Sequence, residues 1–153
     1  MNAHPGLKEG PIYLDYNATT PVDPAVVEAM LPYLSLHFGN PSSSHRYGHQ
    51  AHEAVSEARS RVADLLGCEP DEIIFTGGGS ESDNLAIRGI ALASKERGNH
   101  IITQVTEHPA ILNACRALER LHGFRVTHLP VDEYGRVDPA DVEAAIGDST
   151  VLI

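Results

Sequence analysis

A glycine-rich turn near the middle of the chain stands between an apolar run and an amphipathic stretch, an order typical of a strand that leads into a helix. Residues 76–84 read Thr-Gly-Gly-Gly-Ser-Glu-Ser-Asp-Asn, and the apolar residues Ile73, Ile74 and Phe75 precede them. Three glycines let the backbone bend without Cβ clashes. A helix that begins near Ser80 would present unpaired N–H groups and the positive end of its dipole. The sequence therefore predicts an anion site that a phosphate group would fit.

The turn differs from the two common nucleotide-binding glycine motifs. It lacks the Lys-Ser or Lys-Thr pair that ends a P-loop, and its glycines do not have the G-x-G-x-x-G spacing of a dinucleotide fold. ATP and NAD are therefore disfavoured as the molecules that would carry the phosphate.

Apolar periodicity along the chain indicates an α/β fold, because short apolar runs alternate with longer amphipathic stretches. After a short extended piece at residues 12–14, the predicted helices cover residues 24–32 (with Pro32 ending or kinking the helix), 46–66, 81–97, 110–122 and 138–147. The predicted strands cover residues 72–76, 100–104 and 124–129, and a further buried strand opens at residues 150–153. Strands separated by single helices imply right-handed crossovers and a mainly parallel sheet flanked by helices.

One histidine follows a predicted strand closely. His108 lies in the segment Thr106–Pro109, just after the strand at residues 100–104. Because the carboxyl ends of parallel strands meet at one edge of a sheet, this segment and the glycine turn should face the same crevice. His108 is therefore a candidate functional residue, although most histidines are structural or solvated.

Composition and charge exclude several classes of partner. The 153 residues carry a formal charge of -10 with only 11 basic residues, which disfavours binding to nucleic acid or to an anionic membrane. No stretch approaches the roughly 20 apolar residues of a membrane span, and residues 1–10 lack the apolar core of a signal peptide. We expect a cytoplasmic protein. Cys68 and Cys115 lack C-x-x-C spacing and are expected to be reduced, buried thiols.

Two other groups of polar residues have competing interpretations. His45, His49 and His52, with Glu53, have a spacing that places three imidazoles on one helix face. Metal binding there is disfavoured, because all the ligands come from one helix and no second-shell carboxylate can be assigned. The carboxylates Glu107, Asp132 and Glu133 are expected to be solvated rather than to act as acids or bases.

Four motifs, in order along the chain, are those of a known family. They are Ile-Tyr-Leu-Asp-Tyr-Asn-Ala-Thr-Thr-Pro at residues 12–21, Phe-Gly-Asn-Pro-Ser-Ser at 38–43 followed by His45, the turn at 75–84, and Thr-Glu-His at 106–108. The chain resembles the cysteine desulfurases of the class V aminotransferase superfamily, and most closely the group that supplies sulfur for iron-sulfur cluster assembly and tRNA thiolation. The resemblance covers the N-terminal portion of such an enzyme, less than half of its length.

The resemblance implies a cofactor, pyridoxal 5'-phosphate, and a fold type I transferase domain that is incomplete here. The expected division is an extended segment at residues 1–22 and the N-terminal part of the large domain at 23–153. In the family, the residues equivalent to Gly79 and Ser80 bind the cofactor phosphate; they are usually Ala-Thr or Gly-Thr. The histidine equivalent to His108 stacks on the pyridine ring and assists proton transfers.

The resemblance also implies an activity: conversion of L-cysteine to L-alanine, with sulfur passed as a persulfide to an acceptor or scaffold protein. The complete enzyme is expected to be a homodimer. The family's Schiff-base lysine, pyridinium aspartate, carboxylate-binding arginine and nucleophilic cysteine all lie beyond residue 153. Lys8 and Lys95 are in the wrong places for that lysine, and neither cysteine matches the nucleophile. We therefore expect a fragment that is inactive alone.

Two alternatives remain open at this stage. The first is another class V enzyme, such as a selenocysteine lyase or an aminotransferase with a different substrate. The second is a non-catalytic scaffold fragment that persists as a binding module. The sequence that follows residue 153 would distinguish them.

Overall fold

The computed structural model describes residues 4–7 and 11–153 of the chain, with the side chain of Pro5 excepted. Lys8, which was considered above, lies outside the described residues. The chain divides into two compact units, residues 1–74 and 75–153, and each is described by itself. The division between residues 22 and 23 that the sequence suggests stays a prediction.

The regular secondary structure of the first unit, in its described residues, is helical. It contains a 3-10 helix at Pro5–Leu7, helix α1 at Pro24–Ser35, helix α2 at Arg46–Leu66 and a second 3-10 helix at Pro70–Glu72. Helix α1 begins where predicted, because the Asp23 carboxylate accepts the N–H of Ala25 at 2.8 Å and Pro24 has a backbone already suited to the first turn.

Helix α1 does not end at Pro32, so the predicted ending was wrong, while the alternative of a kink at Pro32 stays a prediction. Proline removes one N–H from the helix, but its carbonyl remains an acceptor. The N–H groups of Leu36 and His37 both donate to the Pro32 carbonyl, at 2.8 and 2.9 Å. These bonds close the last turn, and the helix extends to Ser35.

Helix α2 has the predicted ends, from the His45 cap to Gly67, whose φ of 71° ends the helix in the left-handed conformation. The apolar residues along this helix are buried only in part. Ala51 is buried, whereas Leu65 is 84% exposed.

The strand predicted at residues 72–76 is absent. Residues 70–72 form the 3-10 helix, Ile73 is extended, and residues 73–76 lie outside the sheet. The guanidinium of Arg59, on α2, donates to the Ile73 carbonyl, which a strand would have offered to a neighbouring strand. The apolar run indicated burial in a sheet, but without a pairing partner an extended segment is not a strand.

The second unit contains the sheet. Its elements are α3 at Gly79–Ala93, β1 at His100–Gln104, α4 at Pro109–His122, β2 at Arg125–Leu129, α5 at Pro139–Ala145 and β3 at Thr150–Leu152. The three strands are parallel in the order β2-β1-β3, with Ile101 of β1 opposite Val126 of β2. The predicted parallel sheet flanked by helices is confirmed, although α3 ends at Ala93, earlier than expected.

The hydrophobic core of this unit lies between β1 and the helices α3 and α4. Its fully or nearly fully buried members are Ala91, Ile101, Cys115, Leu118 and Phe124. Burial raises the pKa of the Cys115 thiol, and the carboxylates of Glu119 and Glu107 raise it further. Cys115 therefore has the character of a structural thiol, as expected from the sequence.

One polar residue belongs to this interior. His100, at the start of β1, is 0% exposed. Its Nδ1 lies 2.8 Å from the Thr150 hydroxyl of β3, and its Nε2 lies 2.8 Å from the Thr127 hydroxyl of β2. The imidazole thus joins all three strands. Burial lowers its pKa, and the positive charge of Arg125 lowers it further.

None of the helices within residues 4–7 and 11–153 is sufficiently long and apolar to cross a lipid bilayer.

Candidate functional site

The glycine turn forms the N-terminus of helix α3. The capping position is Gly78, with φ 158° and ψ 176°, a conformation that is essentially restricted to glycine. No side chain caps the helix there. Because a helix leaves its first N–H groups without partners inside the helix, they need an acceptor from elsewhere.

The N–H groups of Gly79 and Ser80 have no acceptor among the residues that the structure describes, and neither does the Ser80 hydroxyl. Both residues are exposed. A Cβ added to Gly79 would meet nothing within 4 Å, so the space in front of the turn is open. These are the features of a site that receives an external anion through backbone amides and one hydroxyl.

The other four α-helices of the described chain differ from α3, because a side chain caps each of them. The capping residues are Asp23 for α1, His45 for α2, His108 for α4 and Asp138 for α5. In each case an oxygen or ring nitrogen of the cap accepts a backbone N–H of the first turn. Helix α3 alone, within this described part, has no side-chain cap, and the N–H groups of Gly79 and Ser80 have no acceptor there.

His108 is exposed and has a structural role in α4. Its Nδ1 accepts the N–H of Ala110 at 3.1 Å. A nitrogen that accepts a hydrogen bond carries no proton, so the neutral ring holds its proton on Nε2. The cap fixes the orientation of the imidazole and leaves Nε2 as the atom that can exchange a proton with a ligand.

The connections bring the first turns of α3 and α4 to the same edge of the sheet. Helix α3 leads into the start of β1, and α4 returns from the end of β1 to the start of the parallel strand β2. Both helices therefore run opposite to β1, and they pack against each other. This connectivity places Gly79, Ser80 and His108 toward the carboxyl end of β1, and a crevice that they share stays a prediction.

Side chains from the turn itself hold its backbone. The Glu81 carboxylate accepts the N–H of Gly77 at 2.6 Å, and the hydroxyls of Thr76 and Ser82 lie 2.6 Å apart. Sequence reasoning did not identify these three residues as part of the site. The available signal was an acidic residue in the first turn of a helix, a position that the dipole favours.

The motif at residues 38–48 forms a tight loop in the first unit. A Cβ on Gly39 would lie 2.1 Å from the Tyr47 carbonyl oxygen, and a Cβ on Gly48 would lie 2.1 Å from the Ser43 carbonyl oxygen. Only glycine permits these two close approaches of backbone to backbone. The motif thus has a structural explanation within this unit.

His45 belongs to the same loop and not to a metal centre in this structure. Its Nδ1 accepts the N–H of Gly48 at 3.3 Å and so caps α2. Among the described residues, the structure contains no group of three or more His, Cys, Asp or Glu side chains placed to hold a metal ion.

The carboxylates considered in the sequence have different surroundings. Asp132 and Glu133 are exposed, as expected, and Glu107 is half-buried. Backbone and side-chain hydrogen bonds from Arg136 hold the pKa of Asp132 below its usual range, and the N–H of Tyr134 contributes to this. Asp132 therefore organises a surface turn.

Comparison with known proteins identifies the family of this chain. The class V aminotransferase family matches residues 12–153, and the chain belongs to this family. A cysteine desulfurase IscS from Photorhabdus laumondii subsp. laumondii is 57% identical over 146 residues, which are 94% of this chain and 36% of that protein. The chain thus spans about a third of the length of the curated relatives that it matches.

Solved structures give the same result for the fold. A NifS-like protein matches with a TM-score of 0.82 and 37% identity, over 91% of this chain and 38% of that one. SspA in complex with cysteine matches with a TM-score of 0.80 and 45% identity, over 90% of this chain and 40% of that one. The chain is therefore similar to one part of cysteine desulfurases, enzymes that depend on pyridoxal 5'-phosphate.

The residues present fit the phosphate of that cofactor. A dianion needs several N–H or O–H donors, and the turn supplies the Ser80 hydroxyl and the N–H groups of Gly79 and Ser80, which have no acceptor in the described part of the chain. The start of α3 adds the positive end of a 15-residue helix.

Proposed function

We propose that this chain contributes the phosphate-binding and ring-stacking part of the cofactor site of a pyridoxal-phosphate-dependent cysteine desulfurase. The observation that carries the proposal is the open N-terminus of α3, where the amides of Gly79 and Ser80 have no acceptor among the described residues. Membership of the class V aminotransferase family supports the choice of cofactor.

Each proposed site residue has a defined task. The N–H groups of Gly79 and Ser80 and the Ser80 hydroxyl donate hydrogen bonds to the phosphate. The His108 ring lies against the pyridine ring and holds a proton at Nε2, because its Nδ1 is engaged with Ala110. When bound, the cofactor supplies an electron sink for bond cleavage at the amino acid, and the protein supplies orientation.

The whole protein would convert L-cysteine to L-alanine and pass the sulfur to an acceptor or scaffold protein. The 57% identity to a cysteine desulfurase IscS supports this reaction. So does the likeness to SspA, whose structure was solved with cysteine. We further propose that the whole protein acts in the cytoplasm as a homodimer.

The 153-residue chain alone should release no sulfide from cysteine. Lys95 lies just beyond the end of α3, at the opposite end of that helix from the proposed phosphate site. Cys115 is buried and therefore not placed to act as a mobile nucleophile. Sulfide release by the purified chain, measured after removal of contaminating enzymes, would contradict this assignment of roles.

A binding experiment tests the phosphate site directly. The probe is pyridoxamine 5'-phosphate, which carries the phosphate but has no aldehyde to react with lysine. We expect Ser80→Ala to weaken binding about tenfold, since a hydrogen bond to a charged group contributes roughly 1.5–3 kcal/mol. Ser80→Thr keeps the hydroxyl and should bind as the unchanged protein does.

Equilibrium dialysis of the three proteins, with pyridoxamine as the phosphate-free control, gives the affinities. Equal binding of pyridoxamine and its phosphate ester would contradict the proposal. So would an affinity of Ser80→Ala that equals that of the unchanged protein.

A further inference from the structure

The Glu81 side chain folds back onto the backbone of the glycine turn. Its Oε2 accepts the N–H of Gly77 at 2.6 Å, four residues earlier in the chain. The carboxylate lies so close to the backbone that a Cβ added to Gly77 would be 3.0 Å from the same oxygen. The carboxylate thus joins Gly77, the first glycine of the turn, to the first helical turn of α3.

A second set of hydrogen bonds involves the carbonyl oxygen of Gly78. The Gly78 oxygen accepts the backbone N–H groups of Glu81 and Ser82, both at 3.1 Å. The hydroxyls of Thr76 and Ser82 lie 3.2 and 3.3 Å from the same oxygen, and one of them donates to it while the other donates across the 2.6 Å between the two hydroxyls. Residues on both sides of the turn therefore hold one peptide unit in place.

These hydrogen bonds offset the backbone entropy that three glycines lose when the turn is ordered. A run of three glycines has more backbone freedom than any other tripeptide, and ordering one residue costs roughly 1–2 kcal/mol. Bonds made before a ligand arrives reduce the ordering that the ligand itself must impose. The brace leaves the N–H groups of Gly79 and Ser80 without a partner in the described structure.

A carboxylate at a helix N-terminus can also compete with a phosphate for the backbone amides there. The geometry disfavours competition. Glu81 bonds the amide of Gly77, whereas the amides available for an anion belong to Gly79 and Ser80.

We propose that Glu81 is a positioning residue, which orders the glycine turn through Gly77 so that the amides of Gly79 and Ser80 are arranged for a phosphate. The inference rests on the proposed function of this turn. It adds a role for a residue that itself would not touch the phosphate.

The test compares Glu81→Ala with Glu81→Gln in the 153-residue chain, with pyridoxamine 5'-phosphate as the probe. Alanine removes the acceptor, so binding should weaken about tenfold. The amide oxygen of glutamine can still accept the Gly77 N–H, so Glu81→Gln should restore most of the affinity. Tighter binding by Glu81→Ala would indicate competition and overturn the inference.

A matched control separates position from charge. Asp83→Asn removes one negative charge two residues further along α3, where no hydrogen bond of the Asp83 side chain is present in the described structure. We expect its affinity for the probe to be unchanged. If Asp83→Asn and Glu81→Ala shift the affinity equally, the effect is one of charge and the inference is wrong.

Amide hydrogen exchange gives a readout that needs no ligand. The Gly77 N–H should exchange slowly in the unchanged protein and in Glu81→Gln, and several-fold faster in Glu81→Ala, with α-helical circular dichroism unchanged in all three. Equal exchange rates would overturn the brace. Failure of the unchanged protein to bind the probe would instead contradict the proposed function, while the exchange experiment would still test Glu81.

Discussion

Helices α3 and α4 begin at the same edge of the sheet, but their first turns are built differently. Helix α4 is closed by its own side chain, since the Nδ1 of His108 accepts the N–H of Ala110 at 3.1 Å. Helix α3 has glycine at the corresponding position and no side-chain cap. Satisfied amides have nothing left to offer a ligand, so the residue at the N-cap decides which of two similar helix ends can bind an anion.

The uncapped start of α3 is held by several neighbouring side chains, whereas the start of α4 is held by one. In α4 one imidazole both supplies the cap and takes a fixed orientation. In α3 the turn is held by Thr76, Glu81 and Ser82, which bond the backbone of Gly77 and Gly78. An anion site made from flexible backbone thus depends on neighbouring side chains for its shape.

The largest effect on stability should come from a side chain added at the glycine that begins α3. Gly78→Ala puts a Cβ on a residue with φ 158°, which costs about 1–3 kcal/mol of stability. Gly79→Ala is the matched control, because its Cβ would meet nothing within 4 Å and Gly79 is already helical. Thermal or urea unfolding monitored by circular dichroism compares them. Equal losses of stability in the two variants would mean that the Gly78 conformation is not required.

A smaller effect on stability should follow from removal of the side-chain cap of α4. His108→Ala removes the cap of α4 and should lower the free energy of unfolding by about 0.5–2 kcal/mol. His108→Asn keeps an oxygen that can cap and should have nearly the stability of the unchanged protein. Both variants lose the ring, so both should bind pyridoxamine 5'-phosphate more weakly. If His108→Asn were as unstable as His108→Ala, the cap would not account for the loss.

The smallest effect at neutral pH concerns His100, which lies at the opposite edge of the sheet from both helix ends. Burial lowers its pKa, so the folded chain takes up a proton less readily than the unfolded chain. Its contribution to stability is present above the unfolded pKa of about 6.5 and is lost as the pH falls below that value.

His100→Gln provides the comparison for this pH dependence. We expect the free energy of unfolding to fall from pH 7 to pH 5 in the unchanged protein, and to fall less in His100→Gln. Parallel pH curves for the two proteins would rule out His100 as the source. The result also tells whether acid acts on the sheet or on the helix ends.

The sequence predicted those elements whose ends carry their own local signals. Gly67 and Gly123 end α2 and α4 in the left-handed conformation, and a capping residue followed by proline begins α1 and α5. The prediction was wrong for residues 72–76, because a strand requires a neighbouring strand and an apolar run does not specify one. It was also wrong about the end of α1, where bonds to the Pro32 carbonyl continue the helix.

The proposed site divides in the same way. The glycine turn and His108 could be selected from patterns in the sequence, and the resemblance to cysteine desulfurases singled out Gly79 and Ser80 within the turn. The roles of Glu81 and Thr76 could not, because a hydrogen bond depends on which way each side chain points. The capping bond of His108, which places its proton on Nε2, was likewise not predictable from spacing.

By itself, the sequence determined the class of fold and the family, and it predicted where an anion would bind, because turn chemistry and apolar periodicity act over a few neighbouring residues. The tertiary structure decided which segments pair as strands and which side chains hold the backbone of the glycine turn. It also decided that His100 joins three strands through Thr127 and Thr150. These outcomes depend on contacts between residues far apart in the chain, and no local pattern specifies such contacts.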